Sequence, residues 1–183
     1  MIKTPVCLKT PLGDEVLELC AGDRVYLSGT IYTARDEAHL EMQKSGIPFN
    51  PKGAVIYHCG PVIKDGKVVA AGPTTSARLS NLCGFLIDAG VKAFIGKGGM
   101  GENVTEMLHK NGVYLAYTGG CAALAASRMS LKGVFYEELG MAEAVWEIEV
   151  NQLPLTVAID SKGNDLYREV SDRAFEMFKK QQF

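Results

Sequence analysis

Short apolar runs alternate with glycine-rich polar loops along most of the chain, and the spacing of the apolar positions decides which element each run predicts. Val6 and Leu8, then Val16, Leu17 and Leu19, predict two strands around the turn Pro11-Leu12-Gly13-Asp14. Arg24-Val25-Tyr26-Leu27 reads as a short strand, and residues 35–44 as a helix stopped by Gly46 and Pro48. Ala54-Val55-Ile56-Tyr57 is a strand of the buried type. Val62-Ile63-Lys64 and Lys67-Val68-Val69-Ala70 flank Asp65-Gly66, a hairpin signal.

Beyond the hairpin the period lengthens. Thr75 or Ser76 is placed to cap a helix whose apolar positions Leu79, Leu82, Phe85, Leu86 and Ala89 fall at helical spacing before Gly90 stops it. Strand–helix units follow, residues 91–95 with 104–110 and residues 113–117 with 122–129. Residues 134–136, 145–150 and 155–159 are further strands, Ser161-Lys162-Gly163-Asn164 is a turn, and residues 171–180 form an amphipathic terminal helix. Strands at the start and βα units in the middle predict one mixed α/β domain over residues 1–183.

The loops between these elements carry the chemistry. Ser28-Gly29-Thr30 through Ala34-Arg35-Asp36, His58-Cys59-Gly60-Pro61, Gly72-Pro73-Thr74-Thr75-Ser76-Ala77-Arg78, Gly96-Lys97-Gly98-Gly99-Met100-Gly101 and Thr118-Gly119-Gly120-Cys121 each leave an apolar run. Glycine lets backbone approach a ligand closely, helix starts present free N–H groups to anions, and arginine fits a carboxylate or phosphate with a planar fork. The set predicts a site for a small, multiply anionic molecule. Gly96 to Gly101 matches G-x-G-x-x-G, but Thr118-Gly119-Gly120 stands where the acidic partner of a dinucleotide site belongs, so nucleotide binding ranks low.

Composition narrows the classes. The 183 residues carry 47% hydrophobic and 22% charged side chains, as soluble globular domains do. Nineteen Lys and Arg against 21 Asp and Glu leave a net charge of −2, which gives no pull toward nucleic acid or an anionic membrane. No apolar run reaches the ~20 residues that span a bilayer, and Met1-Ile2-Lys3-Thr4-Pro5 lacks the apolar segment of a leader, so a cytoplasmic location is expected. Five cysteines at wide spacing, with no C-x-x-C, predict neither a disulfide framework nor a cluster or zinc motif, and no metal ligand is expected in this chain. Cys7, Cys20 and Cys83 are expected as small buried hydrophobes; Cys59 and Cys121, in the Gly-rich loops, are placed to line a cleft or to pack.

Three cations, Arg35, Arg78 and Lys97, share one placement just beyond a glycine near a helix start. With charged hydrogen bonds contributing about 1.5–3 kcal/mol each, three such groups suffice to hold a C4 dicarboxylate. Of Thr74 and Thr75, one is expected to cap the helix and the other to face the site as a proton acceptor, with Arg78 or Lys97 stabilising its alkoxide. His39, four residues after Arg35, and His58, at a strand end, stand as candidates to support the site or to pack; His109 is expected at the surface.

Taken together, S-G-T-I-Y-T-A-R-D-E-A-H, Y-H-C-G-P, G-P-T-T-S-A-R, G-K-G-G-M and G-M-A-E-A-V-W, collinear from about residue 3 to Asp160-Ser161-Lys162-Gly163-Asn164-Asp165-Leu166-Tyr167, resemble the β subunit of class I iron–sulfur fumarate hydratases and L-tartrate dehydratases, which is equivalent to the C-terminal domain of single-chain forms. The resemblance implies a swivelling β/β/α domain with a mixed sheet and reversible addition of water across a C=C bond. It implies a fumarase α subunit as partner, in an α2β2 assembly, whose three cysteines hold a [4Fe–4S] cluster with one open iron. Carried over by motif, Arg35 and Arg78 bind carboxylates, Thr74 takes the C3 proton of malate, and Lys97 binds substrate or stabilises developing charge. Thr75 and Gly98 join the substrate contacts, with His39, His58 and Asp36 behind them.

L-Tartrate is the nearest alternative substrate. From other classes, a stand-alone module for an anionic metabolite or nucleotide predicts cofactor binding by the isolated chain. A purely structural partner subunit would use Arg35 and Lys97 in interface salt bridges. An isolated β chain is also expected to self-associate through the surface meant for α.

Overall fold

A computed structural model describes residues 4–181, so residues 1–3, part of the stretch from which a leader was not expected, lie outside it. The strands are β1 (Val6–Lys9), β2 (Arg24–Thr33), β3 (Val55–Tyr57), β4 (Val62–Lys64), β5 (Lys67–Ala70), β6 (Ala93–Gly96), β7 (Val113–Ala116), β8 (Met129–Phe135) and β9 (Val145–Ile159). The α-helices are α1 (Asp36–Ser45), α2 (Gly84–Asp88), α3 (Glu102–Leu108), α4 (Ala122–Ala126) and α5 (Leu166–Gln181).

The main sheet closes on itself. β2 pairs with β3, β3 with β6 and β6 with β7, all in parallel; antiparallel β9 then joins β7 on one edge and β2 again on the other. β1 lies parallel to β2 and β8 antiparallel to β9, while β4 and β5 form a separate hairpin. This is the expected mixed α/β architecture with a mixed sheet. No helix among the described residues is long and apolar enough to cross a membrane.

The two-residue period of the strands splits the core into two. Val55 and Tyr57, Ala93 and Ile95, and Val113 and Leu115 face one cluster together with Leu27, Ile31 and Val157. Ile56, Phe94 and Tyr114 face the other, where they meet Met42 of α1, Leu86 of α2 and Val104 of α3. Full burial of a side chain such as Phe94 contributes about 1.5–3 kcal/mol. The buried Tyr57 hydroxyl donates to the Ala71 carbonyl at 2.6 Å, so burying that ring leaves no unpaired polar atom.

The hairpin forms as read: Asp65 (φ 51°) and Gly66 (φ 69°) both take the left-handed region its two-residue turn requires. Several other elements differ. Residues 14–18 are a 3₁₀ helix rather than a strand; Val16 and Leu19 lie three apart and both are buried. Ser28-Gly29-Thr30 is no loop but the middle of β2, with a register shift at Leu27/Gly29, because β9 offers a partner along its whole length. Residues 145–150 and 155–159 are one strand for the same reason; Gln152, at φ 52°, absorbs the irregularity.

The run after Thr75 winds as a 3₁₀ helix over Ser76–Leu82 before α2, and no side chain caps it. α4 ends at Ala126, so that Met129 opens β8. Cys83 and Cys59 are buried, whereas Cys7 is exposed and Cys20 and Cys121 are half-buried; Cys7 and Cys20 are thus not the buried hydrophobes expected. α5 begins at Leu166 and exposes Phe175, Met177 and Phe178.

Candidate active site

β2, β3, β6 and β7 run in parallel, so their C-terminal ends share one edge of the sheet, where α/β folds place ligands. Arg35 follows β2, His58 to Gly60 follow β3, Lys97 follows β6 and Thr118-Gly119 follows β7. The segment from Gly72 to Arg78 threads between them. Thr74 N–H reaches the His58 carbonyl at 2.7 Å, Lys97 N–H the Thr74 carbonyl at 3.3 Å and Ser76 N–H the Lys97 carbonyl at 3.1 Å. Thr75 bridges Lys97 in parallel. Three segments far apart in the sequence are thereby laced together, and Ala34 N–H to the Tyr57 carbonyl and Tyr117 N–H to the Gly96 carbonyl, both at 2.9 Å, tie the loops after β2 and β7 to the same face.

Close approach explains some of the glycines. A Cβ on Gly60 would meet Arg35 Cδ at 3.0 Å and the Ala142 carbonyl at 2.5 Å, so the arginine lies directly over this turn. A Cβ on Gly119 would meet Lys97 Cδ at 2.8 Å.

Each arginine is held by a carboxylate. Asp36 grips Arg78 side-on: Nε lies 3.1 Å from both carboxylate oxygens and Nη2 3.0 Å from Oδ2. Arg35 Nε makes an ion pair with Glu143 Oε1 at 3.2 Å, although its N–H is not aimed to complete a hydrogen bond. The other oxygen of Glu143 accepts from Glu37 N–H at 3.1 Å, which ties the first turn of α1 to the segment before β9. Both pairs thus meet at the start of α1, where the helix dipole favours carboxylates. Glu143 is the residue that sequence reasoning missed. Its signal was the glutamate inside G-M-A-E-A-V-W, a motif quoted for resemblance alone.

Lys97 is exposed and has no ion-pair partner among the described residues. Thr75 is exposed and Thr74 half-buried, with Thr74 Oγ1 donating to the His58 carbonyl at 3.3 Å. Thr74, Lys97, Arg78, Asp36 and Arg35 therefore come together on an open face. Gly98 (φ 75°) turns the chain just after Lys97, and its carbonyl accepts from Tyr114 at 2.8 Å. An apolar cavity of about 550 Å³ lies elsewhere, between Tyr26 of β2, Pro154 of β9 and Tyr167 of α5.

His39 and His58 stand behind this face, both fully buried. Burial pushes the His39 pKa down, against the Arg35 carbonyl and the Asp36 charge. Burial pushes His58 well below its usual value, and the charge on Arg78 adds to the effect. Both rings are neutral at pH 7. His39 Nδ1 contacts the Arg35 carbonyl and the His58 carbonyl accepts from Thr74, and His109 is exposed as expected.

The cysteines test whether this chain could hold an iron–sulfur cluster. Among the described residues, one group can gather three metal-binding side chains, and it contains a single cysteine, Cys83. Among the described residues, that group does not supply the several thiolates a cluster requires.

Comparison with known proteins gives this arrangement its context. Residues 3–170 match the family model described as Fumarase C-terminus. A protein of Methanocaldococcus jannaschii, provisionally named L(+)-tartrate dehydratase subunit beta, is 49% identical over 178 residues, covering 88% of this chain and 90% of its own length. The L(+)-tartrate dehydratase subunit beta of Escherichia coli K12 is 38% identical over 173 residues, covering 88% and 86% of the two chains. A Geobacillus stearothermophilus protein provisionally named fumarate hydratase class I is 38% identical over 180 residues; the match covers 93% of this chain but only 35% of that protein. All three relatives are named as hydro-lyases or their subunits, and the motifs that form the laced face fall within the matched region. The chain belongs to the fumarase C-terminus family.

Proposed function

We propose that this chain is the β subunit of a two-chain class I hydro-lyase, with reversible hydration of fumarate to L-malate as its reaction. The observation that carries the reading is the convergence of Arg35, Arg78, Lys97 and Thr74 on one open face, each arginine held by a carboxylate. Two guanidinium forks and an ammonium suit a molecule with two carboxylates. In this reading Arg35 and Arg78 take the carboxylates, and their remaining N–H groups point away from Glu143 and Asp36.

Thr74 is the proton acceptor. Its hydroxyl hydrogen is directed at the His58 carbonyl, which leaves the oxygen lone pairs for the substrate side. To take the C3 proton the hydroxyl must first release its own proton to solvent, and the nearby charges of Lys97 and Arg78 lower the cost of the alkoxide that then accepts it. They also stabilise the carboxylate charge that builds as the C3 proton leaves. The α subunit, in an α2β2 assembly, holds the [4Fe–4S] cluster, which when bound supplies Lewis-acid help to the departing hydroxyl. The exposed cations on this side are the half-site that α covers.

L-Tartrate dehydration is the second reading, favoured by the names of the 49% and 38% identical subunits. The test is anaerobic co-expression with the α subunit, assaying fumarate loss by its ultraviolet absorption and oxaloacetate formation from L-tartrate. Fumarase activity that needs both chains, and falls ~10²–10⁴-fold in Thr74→Ala, is the expected result. Activity on tartrate alone selects the second reading. No activity on either acid, with NAD bound by the isolated chain, refutes both.

A further inference from the structure

The two buried histidines pose a problem that the proposed reaction does not absorb. His39 Nδ1 lies 2.7 Å from the Arg35 carbonyl, which only accepts, so Nδ1 carries the proton and Nε2 is a bare lone pair. His58 Nδ1 lies 2.8 Å from the Ser76 hydroxyl, which can accept as well as donate; with Ser76 Oγ accepting, Nδ1 carries the proton and His58 Nε2 is bare as well. Both Nε2 atoms are fully buried and have no hydrogen-bond partner among the described residues. Cys83 Sγ, also fully buried, shares this space, and ligand atoms of the three residues lie within 4.8 Å of one another.

Two buried, unpartnered imidazole nitrogens beside a thiol are the donor types a zinc-type ion takes. The Nδ1–H groups that orient the rings, one on a backbone carbonyl and one on a hydroxyl, are the outer partners metal-binding histidines use. We propose that His39 Nε2, His58 Nε2 and Cys83 Sγ form a structural site for a zinc-like divalent ion. The thiol now donates to the Leu79 carbonyl at 3.3 Å, and burial raises its pKa to about 12. Binding replaces the S–H bond with a metal–sulfur bond and releases that proton to solvent, with no change of oxidation state. The Asp36 carboxylate, whose charge already acts on His39, supplies a counter-charge.

The consequence for the site is rigidity. His39 anchors the Arg35 backbone, and the His58 carbonyl holds both the N–H and the hydroxyl of Thr74. An ion joining the rings would pin the two segments to each other and to the run ending at Cys83. The inference does not depend on which reaction the face performs.

The test uses the full purified chain, reduced and stripped of metal, titrated with Co²⁺ and in parallel with Zn²⁺. The expected result is one Co²⁺ per chain with a thiolate charge-transfer band, and a Tm rise of about 5–10 °C when Zn²⁺ stands ~100-fold above its Kd. Both are retained in the Cys7→Ser/Cys20→Ser double variant and lost in Cys83→Ala. Because the last variant could fail to fold, X-ray absorption of the zinc-loaded wild type gives a second measure: one sulfur at ~2.3 Å and two imidazole nitrogens at ~2.0 Å. No band and no Tm shift in the wild type, a band that survives Cys83→Ala, or a metal shell without sulfur each overturns the proposal, and a bridging water then accounts for the two nitrogens.

Discussion

Replacing Asp160 with alanine is the sharpest test of how the end of β9 is secured. The fully buried carboxylate accepts four hydrogen bonds: Ala21 N–H at 2.9 Å, Lys162 N–H at 2.9 Å, Asn164 N–H at 3.0 Å and Asn164 Nδ2 at 2.8 Å. It thereby ties the turn after β9 to the segment before β2. Water can replace the carboxylate at Lys162 and Asn164, which are exposed, so each of those losses is small, ~0.5–1 kcal/mol. The half-buried Ala21 N–H has no such substitute, and its charged hydrogen bond adds about 1.5–3 kcal/mol. The expected loss is about 3–6 kcal/mol in urea unfolding, with Asp160→Asn between alanine and wild type because one carbonyl acceptor survives.

The pH dependence carries a second signature. Burial works to raise the Asp160 pKa, but its hydrogen bonds outweigh it and the carboxyl lies below its ordinary value of 3.8. A carboxyl with a depressed folded pKa contributes stability that is present above the unfolded value and lost as pH falls toward the folded one. Wild type therefore loses this contribution below about pH 4, and Asp160→Ala shows a flatter acid limb. An alanine variant within ~0.5 kcal/mol of wild type, or one with an unchanged acid limb, refutes the reasoning.

Glu143→Gln removes the charge opposite Arg35 but keeps an acceptor for Glu37 N–H. Because the ion pair is partly exposed, stability should move by less than ~1 kcal/mol, while substrate KM of the assembled enzyme rises about tenfold. A large Tm loss with KM unchanged would make Glu143 merely structural. The lowered pKa values of His39 and His58 predict a separate acid effect. A histidine with a depressed folded pKa takes up protons more readily when unfolded, so stability falls as pH drops below about 6.5. That slope, read by chemical denaturation of the metal-free chain between about pH 7 and 5, should be weaker in His39→Gln; an identical slope counts against it. Tyr57→Phe leaves the Ala71 carbonyl without its donor and should cost about 1–2 kcal/mol in thermal unfolding, and a neutral variant would show that water fills the gap.

Local rules carried much of the fold. Asp65-Gly66 made its hairpin because the turn needs only its own residues in the left-handed region. Residues 93–96 and 113–116 made strands because their apolar runs suit burial on both faces. That the cations and threonines lie near one another was legible for a related reason: glycine near arginine or lysine recurred at successive strand ends, which parallel strands bring to one edge of the sheet.

What the sequence hid depended on partners far along the chain. Ser28-Gly29-Thr30 looked like a loop until β9 supplied hydrogen bonds across the bulge, and the two predicted halves of β9 merged because β2 runs beside both. Glu143 acquired its role only when closure of the sheet brought it, 106 residues on, to the start of α1. His39, His58 and Cys83 were read singly, since nothing in their spacing shows that three buried lone-pair donors converge. By itself the sequence determined which segments pair or coil and which residue types could bind an anion, because propensity and periodicity act over a few residues. Only the tertiary structure decided which charges face each other and which nitrogens lose water, because those contacts are set by a sheet that closes between residues more than a hundred positions apart.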